Sequence, residues 1–106
     1  LCMQLKEGET FLSLKQLAPT RLIKNNFFKQ VQEAEARGAS IEDMKALLGK
    51  GRAKKGLFEG DLDEGELEIG QIVSSIDKIK TAQDVMEELV CDYNKALNNI
   101  KAMPTL

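Results

Sequence analysis

Residues 59–68 hold six carboxylates, Glu59, Asp61, Asp63, Glu64, Glu66 and Glu68, set among Gly60, Gly65 and Gly70. Carboxylates this close can ligate a divalent cation or share acid–base work. A calcium loop of the EF-hand kind needs oxygen ligands at positions 1, 3 and 5, glycine at 6 and glutamate at 12. Counted from Asp61, the third position is Asp63, but the fifth is Gly65, the sixth Glu66 and the twelfth Ile72. The template fails, and no metal ligands are assigned. Acid–base chemistry needs one carboxyl desolvated so that its pKa climbs towards neutrality, and the spacing singles out none of the six. Acids at a helix start are accounted for by the helix macrodipole.

The rest of the inventory is mostly exclusion. Histidine is absent, which removes Ser-His-Asp and Cys-His nucleophilic sites from these residues and the commonest zinc ligand. The two cysteines, Cys2 and Cys91, allow one long-range disulfide, but free thiols fit a cytosolic chain better. Cys91 follows Val90 on an apolar stripe and precedes Asp92, so a buried, inert thiol is expected there. The net charge of -2 argues against nucleic acid, which needs a basic face. The densest basic group, Arg52, Lys54 and Lys55, sits beside the acids and reads as solvated surface. No apolar run approaches the ~20 residues of a membrane span and no signal-peptide pattern is present, so no membrane association and a cytoplasmic location are expected. Leu1 in place of a starting methionine fits a processed chain or a fragment.

These residues must be positioned by short elements. Residues 1–24 read as an extended and turning lead-in, with loose alternation around Gly8 and a break at Pro19. Residues 25–50 read as two helices. The first is capped by Asn25 or Asn26, with Phe27, Val31 and Ala34 on one face and Gly38 as its stop. The second is capped by Ser40 with Asp43, carries Ile41, Met44, Leu47 and Leu48, and ends at Gly49 and Gly51. Residues 51–63 read as a loop anchored by Leu57, Phe58 and Leu62. Residues 64–103 read as two more helices. One starts at Glu64, with Ile69, Ile72, Val73 and Ile76 on one side and Gly70 inside it at a cost of up to ~1 kcal/mol. The last is capped by Thr81 with Asp84 and carries Val85, Met86, Leu89, Val90, Tyr93, Leu97 and Ile100 before Pro104. Such a stripe is core if the chain is complete, and an exposed patch if its cover is missing.

Residues 51–89, GRAKKGLFEGDLDEGELEIGQIVSSIDKIKTAQDVMEEL, resemble the C-terminal region of the nitronate monooxygenase (2-nitropropane dioxygenase) family, whose superfamily includes the flavin-dependent enoyl-ACP reductases. The family pattern runs from a basic segment through G-D-x-x-x-G and G-Q to I-K-P. Gly60, Asp61 and Gly65 match the first motif, Gly70 and Gln71 the second, and Ile79 and Lys80 the third, with Thr81 standing where the family often has proline. Upstream, LAPTRLIKNNF at 17–27 is similar to a shortened S-P-V-G-x-P-G-R-A-I-R-N-x-F, through Pro19, Arg21, Ile23, Asn25 and Phe27. The likeness covers most of residues 10–100 in order.

The resemblance implies a TIM-type barrel that binds FMN. Such barrels need about 250 residues, and 106 cannot close one. It also implies that the phosphate-binding glycine loops and a catalytic histidine lie upstream of the matched region, and that Gly70 and Gln71 lie nearest the flavin or substrate. No catalytic residue is assigned to these 106. The expectation is a single partial domain, mainly α, a helical C-terminal fragment of the barrel family with at most two or three short strands, inactive and without bound FMN on its own. The apolar faces at Phe27, Val31, Leu89, Tyr93 and Leu97 would then pack on absent strands, which calls for a homo-oligomer or a complementary chain. The alternative reading is a stand-alone helical interaction or oligomerisation module.

Overall fold

The computed structural model describes residues 1–105. About 50% of the chain is helical. Two four-residue strands, β1 (Thr10–Ser13) and β2 (Thr20–Ile23), pair antiparallel, with Thr10 opposite Ile23 and Ser13 opposite Thr20. Four α-helices follow: α1 (Asn26–Ala36), α2 (Ile41–Leu48), α3 (Arg52–Leu57) and α4 (Ala82–Lys101). Short 3-10 turns lie at Cys2–Gln4 and Gln71–Ser75. A mainly helical chain with two short strands is the fold class read from the sequence.

The helix starts obey their caps. Asn25 Oδ1 accepts from the Phe28 amide at 2.9 Å, and Ser40 with Asp43 closes a reciprocal capping box, which satisfies amides that have no partner within the helix. After α1, Gly38 takes a left-handed φ of +72°, which lets the Ala39 amide return to the Ala34 carbonyl at 3.0 Å and seals the helix end.

The core gathers where α1 and α2 meet the strands. Leu14, Leu22, Phe27, Phe28, Val31, Ala34 and Met44 pack together, with Leu17, Ala39, Leu47 and Leu48 around them. Burying each large side chain contributes about 1.5–3 kcal/mol. Leu14 holds φ at +56°, unusual for a branched side chain. Its burial at 2% exposure and the Leu17 amide on its carbonyl hold it there. Phe27 and Val31 are therefore covered by the chain itself, which corrects the expectation that they await absent strands.

Three other expectations change. Residues 52–57 form α3 instead of a loop, and Leu57, Phe58 and Leu62, expected as anchors, are exposed. No helix starts at Glu64. Residues 66–69 run extended along the free edge of β2: the Ile23 amide bonds the Leu67 carbonyl at 3.0 Å, and the Ile69 amide bonds the Arg21 carbonyl at 3.1 Å. The sequence Glu-Leu-Glu-Ile alternates with the two-residue period of a strand, burying Leu67 and exposing Glu68, and this outweighs the helical spacing of Ile69, Ile72 and Ile76. Cys91, expected buried, is exposed, and Cys2 is half-buried; both are free thiols. The cause is α4 itself, which contains no buried residue. No helix among the described residues is long and apolar enough to cross a membrane.

Candidate functional site

The acidic stretch folds as a clasp across α1 and α3. Asp61 Oδ1 accepts from the amides of Glu64 at 2.8 Å and Asp63 at 3.1 Å, and its other oxygen meets Lys55 Nζ at 3.1 Å. Glu64 takes the side-chain amides of Asn26 and Gln30 and Arg52 Nη1 at 3.2 Å. From the other side, Asn25 Nδ2 donates to the Leu62 and Gly65 carbonyls, both at 2.9 Å, and the Phe27 amide donates to the Asp63 carbonyl at 3.0 Å. Every one of these bonds stabilises ionised carboxylate or ties down backbone. No cluster of potential metal ligands forms among the described residues.

Electrostatics set three of the six carboxylates apart. The Glu64 amide, then Lys55, hold Asp61 below its usual pKa, and the Asn26 amide, then Gln30 and Arg52, do the same for Glu64. Neither is poised to carry a proton at neutral pH. The cap acids Asp43 and Asp84 are lowered chiefly by the hydroxyls of Ser40 and Thr81. Glu66 is the exception. It is 7% exposed, and burial, then the neighbouring Glu68, push its pKa up against the pull of Arg52. The sequence pattern singles out no acid: strand alternation puts Glu66 on the side of the exposed Glu68, and its burial follows from the close packing of Gly56 against Gly65 and the Glu66 backbone.

These shifts fix the pH dependence. A depressed folded pKa contributes stability above the ordinary carboxylate value of about 4, lost as pH falls through the lower folded values. Glu66 has the opposite sign: its ionisation opposes folding, and the chain gains stability as pH falls from its raised value towards the free value. Stability against urea is expected to rise slightly on mild acidification and then to fall below pH ~4. Glu66→Gln is expected to stabilise the chain at neutral pH and abolish the initial rise. A profile for Glu66→Gln that still shows the rise assigns it to another group.

The clasp sets the course of the chain into a cleft of about 240 Å³ lined by Lys6, Thr10, Arg21, Gln71, Val73 and Ser74, with Glu7 and Gly8 at its rim. Arg21 is held there by the Thr10 hydroxyl at 3.1 Å. Gln71, singled out by motif, is thus a wall residue of this cleft. Gly70 precedes it with extended backbone, φ -75°, and an added Cβ there would have open space, the nearest atom being Ile72 Cγ2 at 4.0 Å. Gly70 is not required by packing within this chain. The cleft is smaller than the roughly 300–1,000 Å³ of sites for drug-sized ligands, and it places Glu7 beside Lys6 and Arg21. These residues alone do not make a flavin site.

No protein-family model matches the chain, and no curated protein matches it. Solved structures do. FabK from Thermotoga maritima superposes with a TM-score of 0.77 at 21% identity, over 94% of this chain and 32% of that one. A mutant of the same protein gives 0.70 at 20% identity, over 94% and 29%. The chain therefore spans about a third of the length of FabK. At this identity the likeness is one of fold: the 106 residues carry the architecture of a segment of a TIM-barrel enzyme.

Proposed function

We propose that the chain is the C-terminal segment of a nitronate monooxygenase-like FMN oxidoreductase, the enoyl-ACP reductases of that superfamily included. In this reading it supplies wall and lid to a flavin site whose phosphate loops and histidine lie outside these residues. The observation that carries the proposal is the fold match to FabK, a flavin-dependent enoyl-ACP reductase, over 94% of the chain, in agreement with the order of the sequence motifs. Gly70 and Gln71 are the residues proposed to approach the flavin or substrate. The open space at Gly70 and the position of Gln71 on the cleft wall support that assignment. The proposed setting is cytoplasmic.

Purified alone, the chain is expected to stay colourless with FMN and to show neither nitronate-dependent oxygen uptake nor enoyl-thioester reduction. Joined to the complementary part of a barrel, it is expected to give a yellow protein. There, Gln71→Ala should weaken flavin affinity or turnover about tenfold, the scale of one lost hydrogen bond. A stoichiometric, active FMN complex of the 106-residue chain would overturn this reading. The exposed face of α4 favours a second one, a helical oligomerisation module.

A further inference from the structure

α4 runs for 20 residues without a buried one, a rod of about 30 Å. Met86, Val90, Tyr93, Leu97 and Ile100 follow one another at alternating spacings of four and three, the seam of a coiled coil with Val90 and Leu97 at a and the other three at d. Met86, Tyr93 and Ile100 are each about 60% exposed. Most charges of the helix are engaged off this seam. Asp84 closes the cap with Thr81, Glu88 pairs with Lys80, and Asp92 pairs with Lys95 at 3.2 Å. Two charges flank the seam at e positions, Glu87 and Lys101. Neither forms an ion pair among the described residues.

We propose that α4 is a homodimerisation helix that packs antiparallel against α4 of a second copy, with Glu87 facing Lys101 of the partner subunit. Orientation follows from charge. In a parallel pair, e faces g, and the g positions are Ala82, Leu89 and Ala96, which leave Glu87 and Lys101 unanswered. A parallel pair also sets the acidic half, Asp84 to Asp92, beside its own copy. In an antiparallel pair, e faces e and g faces g. Glu87 then meets Lys101 of the partner subunit twice by symmetry. The same register places Val90 against the partner's Ile100 and Tyr93 against the partner's Leu97. Such an interface is isologous and closed. The folded bodies, attached at the two helix N-termini, then sit at opposite ends of the pair. The inference rests on the second reading, the oligomerisation module; in the barrel reading the same face packs on the barrel.

Charge exchange tests it on the 106-residue chain by sedimentation equilibrium at micromolar concentration. The wild type is expected to dimerise. Glu87→Lys and Lys101→Glu each turn two attractive pairs repulsive and should weaken the dimer about tenfold, with helix content unchanged by circular dichroism. An equimolar mixture of the two variants should regain wild-type affinity, because each then supplies the charge the other lacks. A wild-type monomer overturns the proposal and assigns the seam to residues outside these 106. Variants that dimerise as tightly as wild type, or a mixture that regains nothing, overturn it by placing the interface or register elsewhere.

Discussion

Gly65→Ala is expected to cost about 3 kcal/mol or more, a large share of the roughly 5–15 kcal/mol that holds a small domain together. A Cβ built on Gly65 would lie 2.4 Å from the Asp61 carbonyl oxygen, 2.4 Å from Gly56 Cα and 2.7 Å from Gly56 N. All three are backbone atoms, so no rotamer change relieves the clash. α3 must move off the clasp or the Asp61 turn must open, and either motion pulls on the Asn25 and Arg52 contacts. Gly56→Ala is milder, about 1–2 kcal/mol, because its closest obstacle is Leu67 Cδ2 at 2.7 Å, the end of a side chain, although the Glu66 carbonyl at 3.0 Å limits the relief. Gly60→Ala meets no atom within 4 Å and is strained only by its φ of +74°, at about 1 kcal/mol. Urea unfolding followed by circular dichroism should rank the three in that order. If Gly65→Ala falls within 1 kcal/mol of wild type, the two backbones are not in contact as described.

That contact explains why the middle of the chain was harder to read than its ends. Asn25, Ser40 and Thr81 were legible as caps because a cap is a local device, completed by an amide within three residues. The face of α1 was legible for the same reason. Gly56 and Gly65 are a pair only in space. Along the sequence Gly65 looks like part of a motif and Gly56 like a helix breaker, and the short α3 exists because its glycine lets another backbone approach. The segment after Glu64 was decided by an open β2 edge, whose unpaired amide at Ile23 and carbonyl at Arg21 recruit Leu67 and Ile69. Propensity within a window carries no information about such an edge. Gln71 was singled out by motif and does line a cleft. Its neighbour there, Arg21, matches a motif in the sequence, but only the strand register places it in the cleft. The stripe of α4 was legible as apolar, but what covers it is decided by another surface.

Arg52→Ala is expected to destabilise the chain by about 2–4 kcal/mol, although the side chain lies near the surface, 24% exposed. The guanidinium touches three elements at once. Nη1 donates to the Glu64 carbonyl at 2.8 Å and to its carboxylate at 3.2 Å, and Nη2 donates to the Leu47 carbonyl at the end of α2, also at 3.2 Å. Its Cζ sits 4.5 Å from the centroid of the buried Phe27 ring in α1. Hydrogen bonds to a charged group contribute about 1.5–3 kcal/mol, and a cation over an aromatic face about 0.5–2 kcal/mol. An isolated surface ion pair would give less than 1 kcal/mol. The distinction is testable with Arg52→Lys, which keeps the charge beside Glu64 but loses the planar fork that reaches Glu64 and Leu47 together. If charge is what matters, Arg52→Lys should match wild type. If the fork is what matters, it should lose at least half of what Arg52→Ala loses. Glu64→Gln completes a double-mutant cycle, and a non-zero coupling is expected because the two side chains share one network. Equality of Arg52→Lys and wild type would reduce the Arg52–Glu64 contact to a surface ion pair, and the clasp would then rest on the Asn25, Asp61 and Phe27 contacts.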